Sequence, residues 1–94
     1  MEIEKTDYQM KVINRIKSMR YDLNISQVKI AEWLNLSNGQ VGNIESVKFP
    51  HKYTLKQLKC ICDHFNIKIE EILLDKEEQI TIENVINKLI EYEE

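Results

Sequence analysis

Residues 26–45 read SQVKIAEWLNLSNGQVGNIE and contain two short helical patterns separated by a very tight turn. In the first pattern, Ile30 and Leu34 recur at helical spacing behind Ser26, a favoured N-cap residue. This pattern stops at Asn35, because asparagine tolerates the left-handed backbone with which many helices end. The sequence therefore predicts two helices held at a sharp angle.

The second pattern begins at Ser37, and Gln40 follows three residues later, which is the spacing of a capping box. Val41 and Ile44 then face inward. The outward positions carry only small or amide side chains: Asn38, Gly39, Gln40, Gly42 and Asn43. Asn and Gln can bond adenine through both amide atoms, so this face is suited to reading base edges. The alternative is an ordinary solvated helix face.

This stretch resembles the helix-turn-helix of the Cro and phage-repressor type, often called the Xre family. Two residues depart from the family pattern where glycine is usual, Asn24 and Asn35, and both tolerate the same backbone. Ser46-Val47 stands where the family usually has Asn-Gly. The resemblance is carried by Ser26-Gln27, Ala31, Asn35-Leu36-Ser37 and Ile44-Glu45, upstream by Val12, Arg15, Ile16, Met19 and Arg20, and downstream as far as Ile72 or Leu73.

The resemblance implies sequence-specific binding of double-stranded DNA, with the second helix of the pair as recognition helix. Gln27 stands where the family binds a phosphate, at the positive end of a helix dipole. We expect the loop after the recognition helix to contact phosphates as well, the alternative being a solvated loop. The predicted DNA-binding residues are Ser26, Gln27, Ser37, Asn38, Gly39, Gln40, Asn43, Lys48, His51, Lys52 and Tyr53.

Three further expectations concern single residues. Gly39 and Gly42 each weaken an isolated helix by about 1 kcal/mol relative to Ala, and either DNA or a packed neighbour approaching the backbone would explain them. The resemblance implies an ion pair between Arg20 and Glu45, the alternative being two unconnected surface charges. Trp33 is predicted to pack on the fourth or the last helix rather than to be an exposed partner contact.

Length, composition and charge are typical of one small domain. The chain has 94 residues and a net charge of −3, which is unevenly distributed. Residues 8–59 carry nine basic residues against three acids, while residues 60–94 carry three lysines against ten acids. This segregation allows phosphate attraction at one surface. No apolar run is long enough to span a membrane and the first residues do not resemble a signal peptide, so a cytoplasmic location is expected.

The periodicity predicts an all-α fold, with a five-helix phage-repressor-like helix-turn-helix domain at 7–74 and an acidic connector and C-terminal amphipathic helix at 75–94. The last helix carries a wide apolar stripe that needs cover. Pairing with a second copy would give a homodimer with recognition helices about 34 Å apart; folding back onto its own domain, near Trp33, is the alternative. The predicted helices cover about 7–22, 26–34, 37–46, Thr54 to near Asn66, a short one around Ile69 to Leu73, and Thr81 to Tyr92.

No catalytic constellation emerges, and no cofactor is implied. The CICDH sequence at 60–64 lacks the second pair of ligands that a zinc site needs, so no metal is expected either. The sequence therefore predicts a homodimeric transcriptional regulator, most simply a repressor. The rival interpretation is an interaction protein of the same fold, such as an antitoxin whose acidic C-terminal part binds a toxin-like protein.

Overall fold

Short polar side chains set the helix ends in this chain. The computed structural model describes residues 4–94, in which there are six helices and no strand, so the predicted all-α fold is confirmed. Thr6 and Gln9 form a capping box at the start of the first helix, and Thr54 and Gln57 form another at the start of the fourth. The helices are α1 (Asp7–Asp22), α2 (Gln27–Leu34), α3 (Asn38–Glu45), α4 (Leu55–Phe65), α5 (Glu70–Leu73) and α6 (Ile82–Glu93).

Three asparagines turn the chain at helix ends. Asn24, Asn35 and Asn66 have φ values of 55°, 56° and 58°, which lie in the left-handed region. Asparagine occupies this region at lower cost than other residues with a Cβ, so it can replace the glycine common at these positions. The expected helix-ending role of all three residues is therefore confirmed.

A single core lies between α1 and the helices that follow it. Val12, Ile13 and Ile16 of α1 are fully buried at its centre. The α2–α3 pair packs against α1 and α4, and Leu36 of the turn is partly buried against the same cluster. The rest of the core comprises Ile30, Ala31, Val41, Ile44, Tyr53, Leu58, Ile61, Cys62, Phe65, Ile72, Leu73 and Tyr92.

Helix α6 folds back onto its own domain, where it packs on α1 and α5. Tyr92 is fully buried, and its hydroxyl donates to the Tyr53 carbonyl at 2.7 Å. The Tyr92 carbonyl accepts from Gln9 Nε2 at 2.8 Å and from Lys52 Nζ at 3.1 Å. The anchored end of α6 therefore lies at Tyr53 and the N-terminus of α1, not at Trp33 as the fold-back alternative supposed.

The apolar stripe predicted on α6 divides into two rows. Val85 and Leu89 pack against the core, on the side of Tyr92. The second row, here called the outer ridge, is 81%, 48% and 56% exposed at Ile82, Ile86 and Ile90 respectively. The inner row is thus covered by the protein's own core, as the fold-back alternative supposed, whereas pairing of the outer ridge with a second copy stays a prediction.

Trp33 packs on α4, as predicted. Its ring stacks on His64 with centroids 4.2 Å apart and meets Phe65 edge-on at 5.8 Å. Within residues 4–94, no helix has both the length and the apolar character required to cross a membrane.

Candidate nucleic-acid interface

The two helices at 26–45 are joined as the sequence indicates. The Ser26 hydroxyl accepts from the Lys29 amide at 3.1 Å and caps α2. Asn35 then reverses the chain, and the Leu36 amide donates to the Ala31 carbonyl at 2.9 Å. Helix α3 follows within three residues, so its direction relative to α2 is determined by this short connection.

A buried ion pair fixes α3 against α1, which confirms the predicted pairing. Arg20 Nε and Nη2 each lie 2.9 Å from a different carboxylate oxygen of Glu45. The two side chains are only 7% and 3% exposed, and Arg20 also donates to the Ile25 carbonyl at 3.1 Å. The hydrogen bond to Glu45 raises the pKa of Arg20, so this guanidinium stays charged.

Gln27 is part of the same network. Its Nε2 donates to Glu45 Oε1 at 2.9 Å, and its side chain is half-buried. Glu45 therefore holds α1, α2 and α3 together at one point. The carboxamide oxygen of Gln27 lies near Gly42, so α2 and α3 are closely apposed there.

The predicted base-reading residues differ in exposure. Asn38, Gly39 and Gln40 are exposed, whereas Asn43 is half-buried. Gln40 Oε1 accepts from the Ser37 amide at 2.7 Å, so the oxygen of this amide serves the helix start. Its nitrogen has no protein partner within residues 4–94 and is the atom that Gln40 offers outward.

Lys5 connects the end of α3 to the loop that follows. Its Nζ donates to the carbonyls of Ile44 at 2.6 Å, His51 at 2.9 Å and Asn43 at 3.4 Å. Partial burial lowers the pKa of this ammonium, which is nevertheless well placed to neutralise the negative end of the α3 dipole. Sequence reasoning missed Lys5, because nothing local to it predicts a contact 38 residues or more away.

A small groove brings predicted residues of α3 and the loop together. Gln40, His51 and Lys52 line it beside Leu36, Ile44, Thr54 and Gln57, around a volume of about 190 Å³. Lys52 is half-buried and also serves the fold, since it donates to the Tyr92 carbonyl and lies 5.3 Å from the centre of that ring. No local pattern around Lys52 indicates this second role.

The prediction that Tyr53 contacts a phosphate is wrong for its side chain. Tyr53 is fully buried, and burial raises the pKa of its phenol. Its hydroxyl is enclosed without a hydrogen-bond partner among the described residues. The Tyr53 ring fills space in the core just before the Thr54 cap, and the Tyr53 carbonyl accepts the hydrogen bond that anchors Tyr92.

The loop after α3 and the start of α4 are basic in sequence. Residues 46–62 contain four lysines, one histidine and no carboxylate. Among the C-terminal acids, Asp63 is paired with Lys59, and Asp75 is paired with Arg15 and Lys11 of α1. Glu93 follows Tyr92, whose carbonyl accepts from Lys52 Nζ, so the end of α6 brings negative charge to the far side of the loop. The Arg15 hydrogen bond lowers the pKa of Asp75. Lys48, which is exposed, therefore gives the loop beside α3 a local positive charge that suits a polyanion.

The cysteines and the histidine of the CICDH sequence pack against neighbouring residues. Cys60 Sγ lies 3.8 Å from the Trp33 carbonyl, His64 stacks on Trp33, and burial raises the pKa of Cys62 to about 11. No group of three metal-binding side chains occurs within the part of the chain that the structure describes.

Comparison with protein-family models, with curated proteins and with solved structures gave no match to this chain.

Proposed function

We propose that this protein binds double-stranded DNA sequence-specifically, with α3 in the major groove, and regulates transcription as a member of the Cro and phage-repressor type. The observation that carries this proposal is the Arg20–Glu45–Gln27 network. It fixes α3 rigidly while the start of that helix keeps Asn38, Gly39 and Gln40 exposed. A helix immobilised by its buried side with amides on its outer side is the arrangement that base readout requires.

The proposal includes a homodimer, since two copies would read a palindromic site. The outer ridge supplies the surface. Ile82, Ile86 and Ile90 are spaced four residues apart, so they form one straight row along α6. A second copy laid on this row would bury apolar surface that the monomer leaves in water.

A selection from a random DNA pool, followed by fluorescence anisotropy at several salt concentrations, tests DNA binding. We expect a preferred site and a steep loss of affinity with salt. Asn38→Ala and Asn43→Ala are expected to cost about 1–3 kcal/mol on that site and little on random DNA. Binding that is absent at low salt would refute the proposal.

Gln40 needs a matched pair of substitutions, because its oxygen caps α3. Gln40→Glu keeps an oxygen acceptor for the Ser37 amide but removes the amide donor and adds a negative charge. Gln40→Ala removes both roles. If Gln40 reads DNA, the Glu variant is as stable as the parent and loses its preference for the selected site over random DNA. If Gln40 only caps the helix, the Glu variant keeps that preference, and only the Ala variant loses thermal stability.

The second candidate is a protein-interaction module, such as an antitoxin that binds a toxin-like partner. The exposed outer ridge, which lies in a chain segment rich in carboxylates, favours it. This candidate would be favoured over the first if the affinity for DNA did not change with salt concentration and if the protein formed a 1:1 complex with a cationic protein.

A further inference from the structure

One ammonium joins the two ends of the loop after α3. Lys5 Nζ is bonded to the Ile44 carbonyl before the loop and to the His51 carbonyl after it. Residues 46–50, here called the stapled loop, project between these two points. Inside it, the Lys48 amide donates to the Ser46 hydroxyl at 3.1 Å, which tightens the first turn.

The stapled loop holds apolar side chains in solvent. Val47 and Phe49 are 73% and 42% exposed, and they flank Lys48. Single exposed apolar residues are ordinary on protein surfaces. Here two of them lie on a loop of five residues whose ends are both bonded to Lys5. A molecule bound at this side of the protein would therefore contact both side chains.

Charge and position identify that occupant as DNA. The stapled loop carries Lys48 and no carboxylate, and Lys52 follows it, so the loop itself attracts a phosphate backbone. The loop is also continuous with the proposed interface, because Gln40 and His51 line one groove.

Docking geometry places the loop at a minor groove. A recognition helix contacts bases chiefly through its N-terminal residues, so the chain that leaves its C-terminus crosses the backbone at the groove edge. Beyond that strand lies the neighbouring minor groove. Apolar side chains inserted there separate base pairs, most easily at flexible pyrimidine–purine steps.

We propose that the stapled loop is a second DNA-binding element, in which Val47 and Phe49 wedge into the minor groove beside the major groove held by α3. Lys48 binds the intervening phosphate, and Lys5 is the positioning residue of the loop. The sequence preference of the protein then extends to a base step that α3 does not touch. This inference rests on the proposed function.

The test compares duplexes that carry the selected site with either a TA or an AA step at each flanking position. 2-Aminopurine replaces the adenine of the step, and affinity is measured beside its fluorescence. We expect the parent to prefer one TA-flanked duplex by about tenfold and to raise the fluorescence on binding, since unstacking is cheaper there. Phe49→Ala is expected to reduce the preference to about twofold or less and to abolish the fluorescence rise.

Two comparisons separate this role from a structural one. Leu23→Ala removes an apolar side chain outside the loop that is 53% exposed, against 42% for Phe49, and should leave the step preference unchanged. Lys5→Met should lose the preference while circular dichroism still shows folded helices, and Lys11→Met should keep it. An equal step preference in the parent and in Phe49→Ala would overturn the wedge, whereas a parent that binds no duplex would instead refute the proposed function.

Discussion

Within residues 4–94, neither backbone conformation nor close packing requires the two glycines of α3. Neither has a positive φ, so neither needs the special backbone freedom of glycine. A Cβ on Gly39 would have no neighbour within 4 Å, and one on Gly42 would meet only Gln27 Oε1 at 3.7 Å, an ordinary contact. The packed-neighbour explanation therefore fails for Gly39 and is weak for Gly42. Close approach of DNA to the helix, as in the proposed function, would explain both glycines.

Replacing each glycine by alanine should stabilise the free protein and weaken its DNA binding. We expect Gly39→Ala and Gly42→Ala each to raise the free energy of unfolding by about 0.5–1 kcal/mol, because alanine loses less backbone entropy in a helix. Urea denaturation and DNA anisotropy on the same samples measure the two effects. Variants that gain stability and bind DNA as well as the parent does would show that the glycines do not serve DNA.

The Arg20–Glu45 pair should be strongly coupled. Each single alanine substitution leaves a buried charge without its partner, so we expect a loss of about 3–5 kcal/mol in unfolding free energy. The double variant should lose much less than the sum of the two, which a double-mutant cycle measures. The exposed pair Lys29–Glu32, 3.3 Å apart, is the control and should couple by less than about 1 kcal/mol. Comparable coupling in both pairs would contradict the assignment.

Helix α6 belongs to the domain core through its last turn. Tyr92 closes over Tyr53 and receives hydrogen bonds from α1 and from the loop before α4. Removing the chain after Asp75 would therefore uncover the core. Single substitutions are therefore a better probe of α6 than truncation.

Tyr92→Ala should cost about 3–5 kcal/mol of unfolding free energy, as for other large aromatic truncations in a core. Asn87→Ala, an exposed position on the same helix, should change it by less than about 0.5 kcal/mol. Chemical denaturation at low protein concentration compares them. Similar values for the two variants would mean that α6 is not anchored by Tyr92.

The alkaline limit of stability offers a check on the same anchor. Burial raises the pKa of the Tyr92 phenol, so the folded state disfavours its ionised form. The contribution of this phenol to the free energy of unfolding is complete below its unfolded pKa of about 10. That contribution is lost as the pH rises toward the pKa of the phenol in the folded state. Tyr92→Phe should therefore show a smaller loss of stability above pH 10 than the parent does, although burial raises the pKa of Tyr8 and Tyr53 as well.

Over the whole molecule, the two proposed interfaces carry opposite charge. The surface around α3 is rich in lysine, whereas Glu83 and Glu93 are the exposed charges on α6. Lys88 of that helix is turned toward Glu78 and Glu91 and lies 5.0 Å from the centre of the Tyr8 ring. A second copy on the outer ridge would therefore bring carboxylates toward carboxylates.

Salt should then strengthen the homodimer while it weakens DNA binding. Raising the ionic strength screens the carboxylates of the two copies but competes with lysines for phosphates. Sedimentation between about 0.05 and 0.5 M NaCl measures the first effect, and anisotropy measures the second. Ile86→Glu should give a folded monomer, and Asn87→Glu beside it should still dimerise; a monomeric parent at every salt concentration would exclude this interface.

Much of the fold could be predicted because its helix boundaries are local. The stop at Asn35 and the start at Ser37 depend on side chains within a few residues, and the structure places α2 and α3 accordingly. The exposed residues Asn38 and Gln40 follow from the same helical spacing. Tyr53 was misassigned, because an aromatic residue in a basic loop gives no local sign of whether it faces solvent or the core.

The sequence by itself determined the six helices, their caps and the two-helix unit, since capping and periodicity act within one or two turns. Only the tertiary structure decided that Lys5 staples the loop after α3, that Lys52 binds the end of α6, and that α6 covers its own core on one side. These contacts join residues from about 40 to more than 80 positions apart. Their choice depends on how the whole core packs, because many side chains compete for the same buried carbonyls, and no local pattern records the outcome.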